Sequence, residues 1–155
     1  MDEAATRRGV ATRADDGARR QAKVSITRRA TFAAGHILRN EAWDEARNRE
    51  VFGGCSTDHG HNYVLEVTVA GPVDPATGMV INLKLLDRVI REAVVADLDH
   101  RHLSRDVDWL QDVLATTENV ALAIWERLEE RLAPIRLERI KLSETENNSA
   151  EVTRR

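Results

Sequence analysis

The sequence has a single cysteine, Cys55, among its 155 residues. One thiol cannot form a disulfide within the chain, so a disulfide-stapled fold is excluded and a reducing, cytoplasmic compartment is predicted. The chain also lacks an apolar run long enough to cross a bilayer. Its net charge is −3 with both signs mixed, which gives no electrostatic basis for binding nucleic acid or an anionic membrane.

Large apolar residues are almost absent from residues 1–22, MDEAATRRGVATRADDGARRQA. This segment has no apolar core of a secretory signal, and its four acidic residues argue against an organelle transit peptide. We expect a disordered N-terminal tail there. Residues 23–155 are of a suitable length and composition for one domain.

Two segments alternate with the period of a β-strand. In residues 23–36, apolar side chains share one parity and His36 falls on the same face at the end. In residues 59–70, His59 and His61 begin an apolar face that continues through Tyr63, Leu65, Val67 and Val69. The intervening residues 37–58 are predicted to form a long loop with a helical turn around Trp43–Arg49.

Two helices and two strands are predicted in the second half. Asn82 caps a helix that ends at LDHRHLS, and Thr116 or Thr117 caps another that Pro134 stops. Residues 135–144 form a strand with Glu144 at the end of its apolar face, and the C-terminal tail supplies a short last strand. The predicted order is ββααββ, an α+β fold with antiparallel hairpins.

Three histidines are predicted to converge at the ends of two core faces. His59 and His61 point the same way from one strand, and His36 joins them if the two strands pair. Three protein ligands with an open fourth position are typical of catalytic zinc, although imidazole also suits copper, iron and nickel.

Several polar residues near these histidines have alternative interpretations. Cys55 is an inert buried thiol, a fourth zinc ligand or a general base. A thiol near a dication tends towards thiolate, and Gly53 and Gly54 suggest a mobile loop. Both observations favour the general base. Considered apart from the other residues, His100 and His102 are interpreted as solvated cations near a helix end, beside Asp99. Glu144 requires a partner if it is buried, which a ligand with a cationic or donating edge would supply.

Seven ordered segments resemble the 6-pyruvoyl-tetrahydropterin synthase / 6-carboxytetrahydropterin synthase family. They span about residues 24 to 148 and read TFAAGH, FGGC, HGHNY, DPATGMVINL, LDHRHL, TTENVALAIW and ETENN. The resemblance implies a tunnelling T-fold with two helices on one face of an antiparallel sheet. It further implies trimers whose sheets close into a barrel, pairs of trimers that stack into a homohexamer, and active sites between subunits.

The resemblance also implies roles at a site for 7,8-dihydroneopterin triphosphate. Zn²⁺ is bound by His36, His59 and His61, in agreement with the strand parity. Cys55 abstracts a proton, with Asp99 and His100 as its acid/base partners. The pterin is held by four further residues: Thr116, Thr117, Glu118 and Glu144.

One departure concerns the reaction product. Three residues separate Cys55 from His59, whereas the pyruvoyl enzymes typically have five. The shorter spacing is similar to the 6-carboxytetrahydropterin synthases of the queuosine pathway, while TTEN and ETENN look more like the pyruvoyl branch. We therefore expect a lyase that forms 6-carboxytetrahydropterin, acetaldehyde and triphosphate. The alternatives are the pyruvoyl reaction, which eliminates triphosphate, and a non-catalytic pterin-binding paralogue.

Overall fold

The computed structural model describes residues 22–155. The prediction of a disordered tail concerns residues that, apart from Ala22, lie outside this range. Five strands and three helices form the described chain: β1 Val24–His36, α1 Glu45–Phe52, β2 His59–Gly71, α2 beginning with Leu83–Ile90, β3 Arg101–His102, α3 Thr117–Leu132, β4 Arg136–Ser143 and β5 Ser149–Thr153.

β1 and β2 form a long antiparallel hairpin, as their alternating patterns predict. The pairing runs from Val24 opposite Gly71 to His36 opposite His59 without a register shift. On the predicted inner faces, the side chains from Ala30 to His36 of β1 and from Tyr63 to Val69 of β2 are buried, whereas Val24 at the start of β1 is exposed. Because side chains alternate across a strand, this register places the apolar faces of both strands on the same side of the sheet.

The sheet has the order β3-β1-β2-β4-β5. β5 is the predicted short last strand, and it pairs antiparallel with β4. β3 was not predicted: the segment LDHRHLS was interpreted as the end of a helix, but Arg101 and His102 pair in parallel with Ala34 and Gly35. A two-residue strand is too short to show alternation, so only its tertiary pairing reveals it.

The core lies between one sheet face and the helices α2 and α3. α2 begins after the predicted cap Asn82, passes through a π-helical turn at Arg91–Val95 and closes with Ala96–Leu98. Thr116 caps α3 by accepting a hydrogen bond from the backbone of Asn119. Buried leucine, isoleucine and valine side chains from both helices pack on the buried side chains of β1, β2 and β4. The α+β class is therefore confirmed, and the predicted ββααββ order holds with α1 and β3 as additions.

The loop between β1 and β2 contains α1, which lies further along than predicted. The expected turn at Trp43–Arg49 is a helix at Glu45–Phe52, capped by the side chain of Asp44. Asn48 is buried at its centre and bonds back to the loop at Asn40. Within residues 22–155, no helix has the length and apolar character that crossing a bilayer requires.

Candidate active site

The β1–β2 register brings three histidines together. His36 and His59 are direct cross-strand partners, and His61 is one step further along the same face of β2. The ring centroid of His36 lies 4.4 Å from that of His59 and 5.1 Å from that of His61. One nitrogen from each ring lies within 4.8 Å of the others, so the three can hold a single metal ion.

Hydrogen bonds at the back of two rings orient this cluster. Nδ1 of His36 donates to the carbonyl of Ala115 at 2.7 Å, and Nδ1 of His59 donates to the carbonyl of Thr57 at 2.7 Å. These bonds leave Nε2 unprotonated and available, as in metal-binding histidines. The Nε2 atoms of all three rings are buried and have no hydrogen-bond partner within residues 22–155.

The protonation state of His36 also suits metal binding. Its side chain is fully buried, and burial lowers the pKa of His36 below the usual range. The neutral imidazole is the form that binds a metal. Buried, unpartnered nitrogens with this donor chemistry fit Zn²⁺.

Glu144 lies between the histidines and an adjoining cleft. Its Oε1 is 3.4 Å from Nε2 of both His36 and His61. Tyr63 lies beside them, with its ring centroid 5.7 Å from that of His61, and burial raises the pKa of this phenol. Tyr63 was assigned only to the apolar face from sequence, because its position in the alternation is the same as that of a core residue.

A cleft of about 470 Å³ collects five of the predicted site residues. Cys55, Glu144 and the start of α3 at Thr116, Thr117 and Glu118 line it together. The structure adds residues that the sequence reasoning did not single out: Leu38, Phe52, Asn147, Asn148, Ser149 and Ala150. The cleft therefore combines a thiol, two carboxylates, hydroxyls and apolar side chains beside the histidine cluster.

Cys55 lies in a short turn within the segment that the sequence predicts to be a loop. Gly53 ends α1 with a φ of 57°, and its N–H donates to the carbonyl of Arg49. Gly53–Ser56 then forms a 3₁₀ turn in which the carbonyl of Cys55 accepts from the backbone of Leu38 at 2.8 Å. The glycine is needed because a left-handed φ is costly for other residues.

Asp99 and His100 form a pair, but they do not line the Cys55 cleft. Asp99 accepts from the backbone N–H of Ala33 at 2.9 Å and from Nδ1 of His100 at 3.1 Å. These two contacts hold the pKa of Asp99 below its usual range. His100, with a φ of 60°, is 83% exposed and lines a separate cleft of about 420 Å³ that shares no residue with the first.

His102 is not the solvated helix-end cation that the sequence suggested. It lies in β3, and its Nε2 donates to Oδ1 of Asp58 at 3.0 Å. Arg105 contacts both oxygens of Asp58 at 3.0 Å, and these two partners hold the pKa of Asp58 below its usual range. The contacts join residues more than 40 positions apart, and no local pattern in the sequence indicates them.

Comparisons with known proteins agree on one family. The sequence profile of the family described as 6-pyruvoyl tetrahydropterin synthase matches residues 25–155. A protein of Pongo abelii named 6-pyruvoyl tetrahydrobiopterin synthase is 44% identical over 134 residues, covering 85% of this chain and 92% of that protein. The structure of Caenorhabditis elegans 6-pyruvoyl tetrahydropterin synthase superposes with a TM-score of 0.80 at 33% identity, over 86% of this chain and 97% of that one.

Two archaeal relatives have other names. A dihydroneopterin monophosphate aldolase of Pyrococcus furiosus is 36% identical over 123 residues, or 79% of this chain and 90% of that protein. A putative 6-carboxy-5,6,7,8-tetrahydropterin synthase of Archaeoglobus fulgidus is 35% identical over 100 residues, or 64% of this chain and 79% of that protein. The match along residues 25–155, together with these identities, shows that the chain belongs to the 6-pyruvoyl tetrahydropterin synthase family.

Proposed function

We propose that this chain is a zinc-dependent 6-pyruvoyl tetrahydropterin synthase, a lyase that eliminates triphosphate from 7,8-dihydroneopterin triphosphate. The observation that carries the proposal is the single cleft that Cys55, Glu144 and the start of α3 line beside three converging histidines. One small molecule could therefore reach all three parts of the site. These are a proton-abstracting group, the groups that recognise a heterocycle, and the metal site.

The three histidines form a site that fits a metal ion acting as a Lewis acid. His36, His59 and His61 would hold Zn²⁺, which would supply positive charge where negative charge develops on the substrate. Cys55 lies outside this group of ligand atoms, so its thiolate is assigned to remove a proton from the substrate side chain.

Pterin recognition is assigned to the other end of the cleft. Glu144 presents a carboxylate of which only 15% is exposed, and it has no Lys or Arg partner within residues 22–155. An amino-pyrimidine edge offers the N–H donors that such a carboxylate requires. Thr116, Thr117 and Glu118 lie at the N-terminus of α3, where hydroxyls, a second carboxylate and free backbone N–H groups are available.

Asp99 and His100 are proposed to reach the reaction from a neighbouring subunit. Within one chain His100 faces a different cleft from Cys55, although its Nδ1–H is held by Asp99 and its Nε2 is free to exchange a proton. A homohexamer built from two trimers with closed barrels would bring such a dyad to the cleft of the next chain. Cytoplasmic localisation is part of the same proposal.

We assign the pyruvoyl product, in place of the carboxy product that the spacing of Cys55 and His59 predicts. The most similar relatives named above have the pyruvoyl name, and TTEN and ETENN agree with them. The carboxy reaction remains the second candidate, because the three-residue spacing favours it and an archaeal relative has that name. The presence of Cys55, Asp99 and His100 together argues against a non-catalytic paralogue.

Product analysis of the zinc-loaded enzyme tests the proposal. Incubation with 7,8-dihydroneopterin triphosphate should release triphosphate and a pterin that retains its three-carbon side chain, as identified by mass spectrometry. Release of acetaldehyde with 6-carboxytetrahydropterin would favour the second candidate. Tight binding of the substrate without any turnover would instead identify a pterin-binding protein.

A further inference from the structure

The short connection between Cys55 and His59 has one side chain that reaches another part of the molecule. The side-chain hydroxyls of Ser56 and Thr57 donate only to the carbonyls of Gly53 and Gly54, within the same turn. Asp58 instead contacts Nε2 of His102 and Nη2 of Arg105, each at 3.0 Å. We call these three residues the Asp58 clamp.

The partner residues of Asp58 are themselves fixed. His102 pairs with Gly35 through β3, and its backbone N–H donates to Asp106 at 2.8 Å. A side chain added at Gly35 would lie 3.5 Å from the His102 ring and 3.4 Å from the carbonyl of His59. The ring therefore lies directly over the end of the β1–β2 hairpin, one residue before His36.

We propose that Asp58 is a positioning residue for the lyase reaction, because the Asp58 clamp fixes the loop that carries Cys55 relative to the metal-binding end of the hairpin. This inference rests on the proposed function. The Asp58 side chain is neither part of the histidine cluster nor among the residues that line the Cys55 cleft, so it is assigned no direct contact with substrate. Because Asp58 directly precedes His59, zinc content must be measured to attribute an effect to Cys55 and not to the histidines.

The clamp contributes to geometry more than to folding. The Asp58 side chain is 54% exposed, and ion pairs this exposed stabilise a fold little. A general base, in contrast, loses about 100-fold in rate when it is misplaced by about 1 Å. Loss of the clamp should therefore reduce catalysis without unfolding the protein.

Asp58→Ala tests this inference, with Asp87→Ala as the matched control. Both variants remove a carboxylate that accepts hydrogen bonds from two side chains, but Asp87 pairs with Arg28 and Arg91, away from the cleft. We expect Asp58→Ala to keep its zinc, to change KM by less than about twofold and to lose about tenfold or more in kcat. Asp87→Ala should keep the wild-type kcat.

Substitutions of His102 separate positioning from a general structural effect. His102→Gln keeps an N–H donor for Asp58 and should retain most of kcat, whereas His102→Leu removes that donor and should lose kcat as Asp58→Ala does. Equal losses in both His102 variants would overturn the role of this hydrogen bond.

Alkylation of the sole cysteine gives a measurement that does not need turnover. The rate of Cys55 modification by iodoacetamide, followed by intact mass, should differ at least about threefold between Asp58→Ala and Asp87→Ala. If the wild type turns over no substrate, the proposed function fails while this rate still decides whether Asp58 positions Cys55. Unchanged alkylation, or loss of zinc in Asp58→Ala, would overturn the inference whatever happens to kcat.

Discussion

Cys55 lies in the cleft with Glu144 but outside the set of three histidine nitrogens that can share a metal ion. We therefore expect Cys55→Ala to keep zinc and substrate binding while losing about 100-fold or more in kcat, as removal of a general base does. Zinc content by atomic emission, substrate affinity by calorimetry and kcat should be measured on the same preparation.

Each alternative role for Cys55 gives a different result. An inert thiol would leave kcat nearly unchanged, and a fourth metal ligand would reduce zinc affinity first. Cys55→Ser is the matched variant, because a hydroxyl keeps the size of the thiol but is a far weaker acid. Wild-type turnover in either variant would remove Cys55 from the mechanism.

Three of the five histidines converge in one cluster, whereas His100 and His102 lie outside it. His59→Ala should lose both zinc and activity, because two imidazoles do not make the three-ligand site of catalytic zinc. His100→Ala removes a histidine that lies outside the cluster, so it should keep about one zinc per chain and lose activity alone. Full zinc occupancy in His59→Ala would contradict the ligand assignment.

At the residue scale, the convergence of the three histidines was predictable and the Asp58 clamp was not. Strand parity places His36, His59 and His61 on inward faces, and the register adds only that His36 lies opposite His59. The contact between Asp58 and His102 depends on how β3 docks against β1, which no local periodicity encodes.

Among the helices and strands, an ion pair between α2 and β1 gives a prediction about pH. Asp87 of α2 accepts from Arg91 at 3.0 Å and from Arg28 of β1 at 3.1 Å, and these contacts lower the pKa of Asp87. The unfolded chain has an ordinary aspartate pKa of about 3.9. The stabilisation from Asp87 is therefore present above that pH and is lost as the pH falls through the lower folded value.

Asp87→Asn should accordingly unfold at a slightly lower temperature than the wild type at pH 7, with the difference shrinking as the pH falls below about 4. Thermal unfolding by circular dichroism across this range provides the measurement. Asp112→Asn is a suitable control, since Asp112 has no ion-pair partner within residues 22–155. A difference that grows as the pH falls would contradict the assigned direction of the pKa shift.

The strands and helices differ in how well their sequences predict them. β1 and β2 are long enough for alternation to identify both the strand and its buried face. α1 was placed too early because its cap, Asp44, lies in a run of charged residues without an apolar stripe. β3 has two residues and exists only through its parallel pairing with β1.

For the molecule as a whole, the sheet is open at both sides in a single chain. β5 is one outer strand, and within residues 22–155 most of β1, from Val24 to Phe32, has no strand partner on its outer side because β3 pairs only with Ala34 and Gly35. Unpaired strand edges of this length favour pairing with another chain. Together with the separate position of His100, this arrangement supports the proposed assembly of six 17.4 kDa chains.

Complementation between two inactive variants tests whether the active site is shared. If Cys55 of one chain works with Asp99 and His100 of another, co-expressed Cys55→Ala and His100→Ala chains should recover about a quarter of the wild-type activity per site, because random mixing places both intact groups together in that fraction. Each variant alone should stay inactive, and native mass spectrometry should show mixed hexamers. Mixed hexamers without recovered activity would place the dyad and the thiol of each site in the same chain, and a stable monomer at micromolar concentration would refute the assembly itself.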